Sequence, residues 1–559
     1  MKANEVRFQE LLNGKIQYRV PLFQRTYSWM EENWQRLWDD LLEIYELPEP
    51  RSHFIGAIVT QPIEDAPEFC AKYLVIDGQQ RLATLFILLS TIRDAARARE
   101  DTQGLGDEIE DDCLINKHAK AVEEREKMRP TQRDAADLKA VFAGEPLASS
   151  SLIAQAYKFF RDVLVKGDLG GNDVDLARLK SCVTDYLNLV SIMLDGHDSA
   201  PRIFESLNNT GMPLTASDLV RNHIFMSITS EEEQEAAYHS HWMPMQSRME
   251  EENGRSALSD FFWRYLMMDG HLPRYDEVFE GMRDRIDEDL HRGKTLVQVL
   301  EQLNAYSALY VRIWQPSRFE TLPAICDQLN RLNQWEVDVA YPFILTAMNR
   351  LQLGQLGEDD LLEVLQMIES YAVRRFICGV PTNRLRRIFA GMSGKVSEDG
   401  YVESCRRYLM DNDWPMDGNF HEMFQAARIY TPARLSRTRL ILTSLEQSYE
   451  HHEQILMTDQ ITIEHVMPQT LNDEWRSQLG EVAGEIHEKY LHTVGNVTYS
   501  GYNSEMGNLP FERKKNILQQ SRFELNQRIV QASAWTANEI QARARELADR
   551  ALAIWKRAG

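Results

Sequence analysis

Between Ile461 and Leu518 the apolar pattern switches from alternation to helical spacing, and no other feature constrains the fold of this chain as tightly. Ile461 and Ile463 alternate with polar residues ahead of Glu464 and His465, which predicts a short strand delivering Glu464 and His465 to one end of a hairpin. Gly495-Asn496, within Val494-Gly495-Asn496-Val497-Thr498, begins the return strand. Phe511-Glu512-Arg513-Lys514-Lys515-Asn516-Ile517-Leu518 then repeats its apolar positions at helical spacing. The segment predicts strand, strand, helix.

A one-metal site that cuts phosphodiesters must deprotonate a water and neutralise charge on the scissile phosphate, so it needs a histidine base beside oxygen ligands for a divalent ion. Thr462-Ile463-Glu464-His465-Val466-Met467-Pro468-Gln469 carries the histidine, and an asparagine-rich turn through Asn503 and Asn508 carries oxygen donors. Strand, strand and helix around such a set is the ββα-metal, or HNH, geometry. A Glu-His pair before a proline is by itself a common chance turn. The longer pattern is Glu-His-x-x-Pro from Glu464, Gly-Asn-x-Thr from Gly495, then Asn503 and Phe-x-x-Lys ending at Lys514. It resembles the C-terminal nuclease domain of the GmrSD family of modification-dependent restriction enzymes. The resemblance implies that His465 is the general base and that Glu464 and Asn503 are ligands of a hard divalent ion, Mg²⁺ or Mn²⁺. Asn496 would brace the loop, and Lys514 and Lys515 would contact phosphate. Asn508 competes with Asn503 for the ligand role, and spacing does not choose between them. No CxxC pair flanks the segment, so a zinc-stapled version is not indicated.

Tyr73-Leu74-Val75-Ile76 reads as a buried strand that stops at Asp77-Gly78 and leads into a helix from Gln79 through Leu89. Such a turn aims the unpaired N–H groups of a helix N-terminus at one spot, which favours an anion, and Arg81 adds a positive fork. Asp-Gly before a helix is also a common capping turn. Val20-Pro21-Leu22-Phe23-Gln24-Arg25-Thr26-Tyr27-Ser28-Trp29 and Phe54-Ile55-Gly56-Ala57-Ile58-Val59 extend the pattern. With the Asp77-Gly78-Gln79-Gln80-Arg81 turn they resemble the N-terminal nucleotide-binding domain of the same GmrSD group, whose fold is related to ParB and sulfiredoxin. This implies a nucleoside triphosphate site formed by Gln24, Arg25, Asp77, Gly78, Gln79, Gln80 and Arg81. It also implies that Asn208 and Asn209, within the stretch from Arg202 to Leu219, line it. From the residues alone that stretch is a helix ending in an asparagine-rich turn, then a second helix capped by Thr215 or Ser217; a helix-turn-helix packing corner accounts for it equally well. Sulfiredoxin-type redox chemistry needs a cysteine in the turn, and none lies between Asp77 and Arg81. The ParB relation implies instead a nucleotide switch, in which triphosphate and a divalent ion order the turn and hydrolysis releases it.

At 559 residues the chain is too long for one core. No apolar run approaches a membrane span and the N-terminus carries no apolar signal region, so a cytoplasmic protein without membrane contact is expected. Six cysteines, Cys70, Cys113, Cys182, Cys326, Cys378 and Cys405, are scattered without paired spacing, as reduced thiols are. The formal net charge of −23 argues against wholesale coating of nucleic acid. Locally the balance differs: from Gly501 to Gly559 ten Lys and Arg stand against six Asp and Glu. Two arginine clusters are candidate phosphate tracks: Arg374, Arg375, Arg384, Arg386 and Arg387, and Arg428, Arg434, Arg437 and Arg439. Pairing with the many carboxylates of the chain is the other reading of both. The acidic run from Asp107 to Asp112 reads as a solvated loop.

Between the two signature regions apolar residues recur at helical spacing, as from Leu296 to Ile313 and from Leu361 to Phe376. Trp242, Trp263, Trp314 and Trp335 in this region read as core positions, with base stacking as the alternative. The whole predicts a predominantly helical α+β multi-domain chain. The resemblance implies a ParB/sulfiredoxin-like nucleotide-binding domain over residues 1–230 and an HNH nuclease domain over 416–559, with a helical connection over 231–415 between them. By resemblance it is a type IV restriction endonuclease of phage defence, single-chain, in the group that includes the BrxU and SspE proteins. It would be nucleotide-regulated, hydrolyse nucleotide and cut double-stranded DNA bearing hydroxymethylated or glucosylated cytosine. Double-strand cleavage by one such site per chain implies a homodimer. Two alternatives stand beside it: a sensor of phosphorothioate DNA with the same architecture, and a nucleotide-dependent DNA-binding regulator with an inactive HNH module.

Overall fold

The computed structural model describes residues 2–63, 70–119, 121–147, 150–166, 174–195, 203, 214–228, 230–249, 257–449 and 461–557; Asn208 and Asn209 lie outside them. The chain divides into two units, Met1–Pro244 with Met282–Leu300 and Met245–Gly281 with Glu301–Gly559. Helices predominate, with one mixed sheet and one two-stranded ladder among the described residues. No helix among them is long and apolar enough to cross a membrane.

The first unit is built on six strands: β1 (Lys2–Arg7), β2 (Ile16–Arg19), β3 (His53–Pro62), β4 (Ala71–Asp77), β5 (Met128–Arg129) and β6 (Leu187–Met193). Their spatial order is β1-β6-β3-β4-β2-β5, with β3 and β4 antiparallel and β4 and β2 parallel. β4 runs directly into the Gln79–Arg97 helix. The joint requires Gly78, whose φ of +85° is left-handed and whose missing Cβ would meet the Ala57 carbonyl oxygen at 2.8 Å. The helix is apolar on nearly every side, with Leu82, Leu85, Phe86, Leu89 and Ile92 all fully buried, and it forms the axis of this core. Its hydroxyls do not break it, because Thr84, Ser90 and Thr91 donate back to the carbonyl four residues earlier.

The acidic run is helical, contrary to expectation. Gln103–Ile109 is an α-helix that widens through Glu110–Leu114. Cations from distant positions stabilise it: Arg97 pairs with Asp107 and Glu110, and Lys180 with Glu108.

The second unit is helical around Glu358–Ile377, which buries Leu365, Ile368, Tyr371 and Val373. Arg374 and Arg375 on this helix are interior, so they track no phosphate. Arg374 donates to the Trp555 and Pro415 carbonyls and to Asp417, and Arg375 to the carbonyls of Asn412, Asp413 and Pro381. Arg384, Arg386 and Arg387 are exposed. Trp335 is core in this unit, and Trp263 and Trp314 are half-buried; Trp242, in the first unit, is core. All six cysteines are free thiols.

Candidate active site

β7 (Thr462–His465) and β8 (Val497–Ser500) pair antiparallel, with Glu464 opposite Thr498 and His465 opposite Val497. The Phe511–Leu518 helix follows, completing strand, strand and helix over the predicted residues. Val466, Met467, Trp475, Phe511, Leu518 and Trp535 form the core beneath. Successive side chains of a strand point to opposite faces, and the contacts of Glu464 and His465 diverge accordingly. The Glu464 carboxylate accepts from Lys514 Nζ at 2.5 Å, and the same ammonium donates to the His465 carbonyl at 2.8 Å. His465 instead meets the Tyr430 ring edge-on at 4.5 Å, and its Nε2 lies 3.2 Å from His492 Nδ1. Its Nδ1 is 3.4 Å from the Gln469 amide nitrogen.

The loop before β8 is held rigidly. Asn496 is fully buried; its amide nitrogen donates to the Met467 and Leu491 carbonyls, and its oxygen accepts from Met467 N and Trp535 Nε1. Buried Arg543 donates to the carbonyls of Val494, Gly495 and Val497, a brace nothing local in the sequence marks. Asn503 begins a short helix and donates both amide hydrogens to β7, at Thr462 Oγ1 and the Ile463 carbonyl. Asn508 is exposed in the next turn. Lys515 donates to the Ala532 carbonyl. Among the described residues no three His, Cys, Asp or Glu side chains group so that they could hold a metal.

Burial, with His492, Lys514 and His487 adding to it, pushes the His465 imidazole down to about 3, so it is neutral at ordinary pH. Burial raises the Glu464 carboxyl against the pull of Lys514, and lowers Lys514 against the pull of Glu464. The ion pair is thus interior, and both groups carry a desolvation penalty.

In the first unit the Asp77-to-Arg81 turn closes on the Val20-to-Trp29 segment. Gln24 donates to the Val75 and Ile76 carbonyls, Gln79 to the Arg25 carbonyl, and Gln80 bonds Ser28 N and the Thr26 carbonyl. Arg81 donates to the Ala57 carbonyl at 2.5 Å, lying where a Cβ on Gly56 (φ +116°) would stand. Arg25, held below its ordinary value by burial, sits in the field of Asp218, Asp77 and Arg221. Asp218 and Arg221 belong to the Ala216–Met226 helix, which Thr215 caps.

The family model described as GmrSD restriction endonuclease, N-terminal domain, matches residues 8–225, and that described as GmrSD restriction endonucleases, C-terminal domain, matches residues 414–550. Together they span more than half of the chain. The chain belongs to the GmrSD restriction endonuclease family. No curated protein matches it. Membership makes this GmrSD chain a restriction endonuclease of a modification-dependent family, with DNA as its partner.

Set against the site residues expected from sequence, the geometry of this GmrSD chain separates three groups. His465, Asn496 and Asn503 converge on one hairpin. Lys514 does not reach a phosphate, because it is 0% exposed and bound to Glu464. Glu464 already has a cation, so a metal would compete with a buried ammonium. Gln24, Gln79 and Gln80 are tied by their amides to the backbone around the N-terminal turn, and Gln79 and Gln80 line a small cavity beside Arg25. Sequence reasoning missed Tyr430, Gln469 and His492 around His465, and Asp218 and Arg221 beside Arg25.

The neutral, buried His465 also predicts acid sensitivity. Its folded value is depressed below the unfolded one near 6.5, so the unfolded chain binds more protons between those values and stability falls as pH drops through that window. Lowering the pH from 7.5 to 5 is expected to remove about 2 kcal/mol through this group. Urea unfolding at the two pH values, compared with His465→Gln, measures it.

Proposed function

We propose that this GmrSD chain cuts DNA through an HNH site in which His465 is the general base. The observation carrying this reading is the placement of His465 at the end of β7, in a strand-strand-helix unit whose hairpin is also bound by Asn503. A hard divalent ion keeps several waters and needs only one or two protein oxygens. Asn503 Oδ1 fits as such a ligand for Mg²⁺ or Mn²⁺, since both amide hydrogens face β7, and Asn508 is the second candidate. Glu464 fits poorly for the reason given above. When bound, the ion would offset charge on the scissile phosphate. The protein's own part is to present a neutral imidazole: His465 Nδ1 takes a proton as the water O–H bond breaks. The hydroxide oxygen bonds to phosphorus while the P–O bond to the leaving oxygen breaks, and that oxygen takes its proton from solvent.

Arg428, Arg434 and Arg439 are exposed on either side of Tyr430, which packs on His465, and they supply the phosphate track. Arg437 is excluded, being paired with Glu336 and stacked on Trp335 and Phe376. Each of the three replaced by Gln is expected to weaken DNA binding on all sequences and reduce the salt slope of log K by about 1. Filter binding over a salt series measures it.

The N-terminal turn is assigned a nucleoside triphosphate, with a ParB/sulfiredoxin-like fold. Arg25 and Arg81 meet the phosphates near the helix start, and Asp77 and Asp218 set their charge balance; Asn208 and Asn209 are assigned to the same site by the family resemblance alone. Buried Ser28 Oγ and Arg221 Nε, which lack hydrogen-bond partners, favour a polar ligand there. Hydrolysis would set the conformation or the dimeric state that licenses cutting. The functional division remains 1–230, 231–415 and 416–559, in a cytoplasmic defence protein.

The test is cleavage of matched duplexes containing cytosine, hydroxymethylcytosine, glucosylated hydroxymethylcytosine or phosphorothioate, with Mg²⁺, with and without each nucleoside triphosphate. Nucleotide-dependent cutting of a modified-cytosine duplex supports the reading. Cutting confined to phosphorothioate duplex replaces the substrate assignment, and tight binding without cutting makes the protein a regulator.

A further inference from the structure

His465 uses both ring nitrogens, and one of its partners has no role in the scheme above. His492 lies in the loop between the Ala483–Tyr490 helix and β8, and its position is fixed from two sides. Its carbonyl accepts from Ile429 N and Tyr430 N at 3.0 and 3.3 Å. Its ring stacks on Tyr430 at 5.5 Å with planes 15° apart. Packing alone would be served as well by phenylalanine, so what requires an imidazole is the 3.2 Å approach of Nδ1 to His465 Nε2.

With the Gln469 amide nitrogen facing His465 Nδ1, that bond takes one direction. The Gln469 amide nitrogen can only donate, so His465 Nδ1 is the acceptor of the 3.4 Å contact. A neutral imidazole with an unprotonated Nδ1 carries its hydrogen on Nε2. That hydrogen is directed at His492 Nδ1, which accepts it, and His492 then carries its own hydrogen on Nε2. The long Gln469 contact is the weaker of the two, so Nδ1 is the nitrogen that can turn to a water.

We propose that His492 is the positioning residue of the nuclease site, holding His465 by a bond to Nε2 in the tautomer and orientation that present Nδ1 to the attacking water. It does not touch DNA. The inference rests on the reading that His465 is the base.

The experiment compares His492→Ala, His492→Phe and His492→Asn with His465→Ala in the full-length chain, measuring kcat and KM on the duplex that the wild-type protein cuts, alongside melting temperatures. Asparagine can place an amide oxygen near the position of Nδ1, whereas phenylalanine keeps only the stack on Tyr430. The expected result is a fall in kcat of roughly 10- to 100-fold for Ala and Phe at unchanged KM, the size typical when the partner orienting a functional imidazole is lost. His492→Asn is expected to recover most of it. Wild-type kcat in His492→Phe would reduce His492 to packing and overturn the inference. So would a raised KM at unchanged kcat, which would mark a DNA contact, or a folded His492→Asn as slow as His492→Ala. Cleavage retained by His465→Ala would be a different failure, since it removes the base assignment on which the inference stands.

Discussion

Replacing His465 by alanine is expected to slow DNA cleavage by about 10²- to 10⁴-fold, the range contributed by a positioned general base. DNA binding is expected to persist, because the phosphate track proposed above is made of exposed arginines and does not include His465. Single-turnover cleavage and filter binding on one duplex separate the two effects. Loss of binding together with cleavage would mean that the hairpin, held by Asn496 and Arg543, had come apart. His465 is only 4% exposed, so a water must enter beside it when DNA is engaged. Its neighbour Gln469, 3.4 Å from Nδ1, is the side chain that must yield.

Lys514→Met is expected to destabilise the second unit by about 3–5 kcal/mol, because it leaves the Glu464 carboxylate buried without its cation. The pair is 2.5 Å apart with side chains 0% and 7% exposed, so solvent screens little of it. Lys514→Met combined with Glu464→Gln is expected to recover most of that loss, since a buried pair replaced as a whole is often close to neutral. Urea unfolding of the two single variants and the double variant measures the coupling. If Lys514 instead served DNA, Lys514→Met would keep wild-type stability and lower the salt dependence of binding.

The strands and helices of both signature regions were legible because each rests on a local period. Alternation around Ile461 and Ile463 yields β7, and the spacing from Phe511 to Leu518 yields the helix that follows. Gly78 was legible for a similar reason, since a strand that turns at once into a helix needs a residue tolerant of positive φ. What could not be read was which residues meet across long separations. Nothing in the Asp77-to-Arg81 turn announces that the amides of Gln79 and Gln80 also tie down the backbone of the Val20-to-Trp29 segment. Lys514 looks like a surface cation because it stands in a basic run. Its side chain instead turns inward to β7, where it meets the Glu464 carboxylate and the His465 carbonyl. Arg374 and Arg375 mislead in the same way, on a helix buried nearly all round. His492 carries no spacing signal relative to His465; the pairing of β7 with β8 and the backbone bonds from Ile429 and Tyr430 to its carbonyl bring the two rings together.

The placement of the catalytic centre at this hairpin is tested by Mg²⁺-dependent cleavage, by the wild-type chain and by His465→Ala and Asn503→Ala at matched fold, of whichever modified duplex the wild type cuts. Both variants are expected to bind this duplex and fail to cut it, with Asn503→Ala partly restored by raising the metal concentration. Cleavage by His465→Ala at the wild-type rate would contradict that placement and move the catalytic centre away from this hairpin.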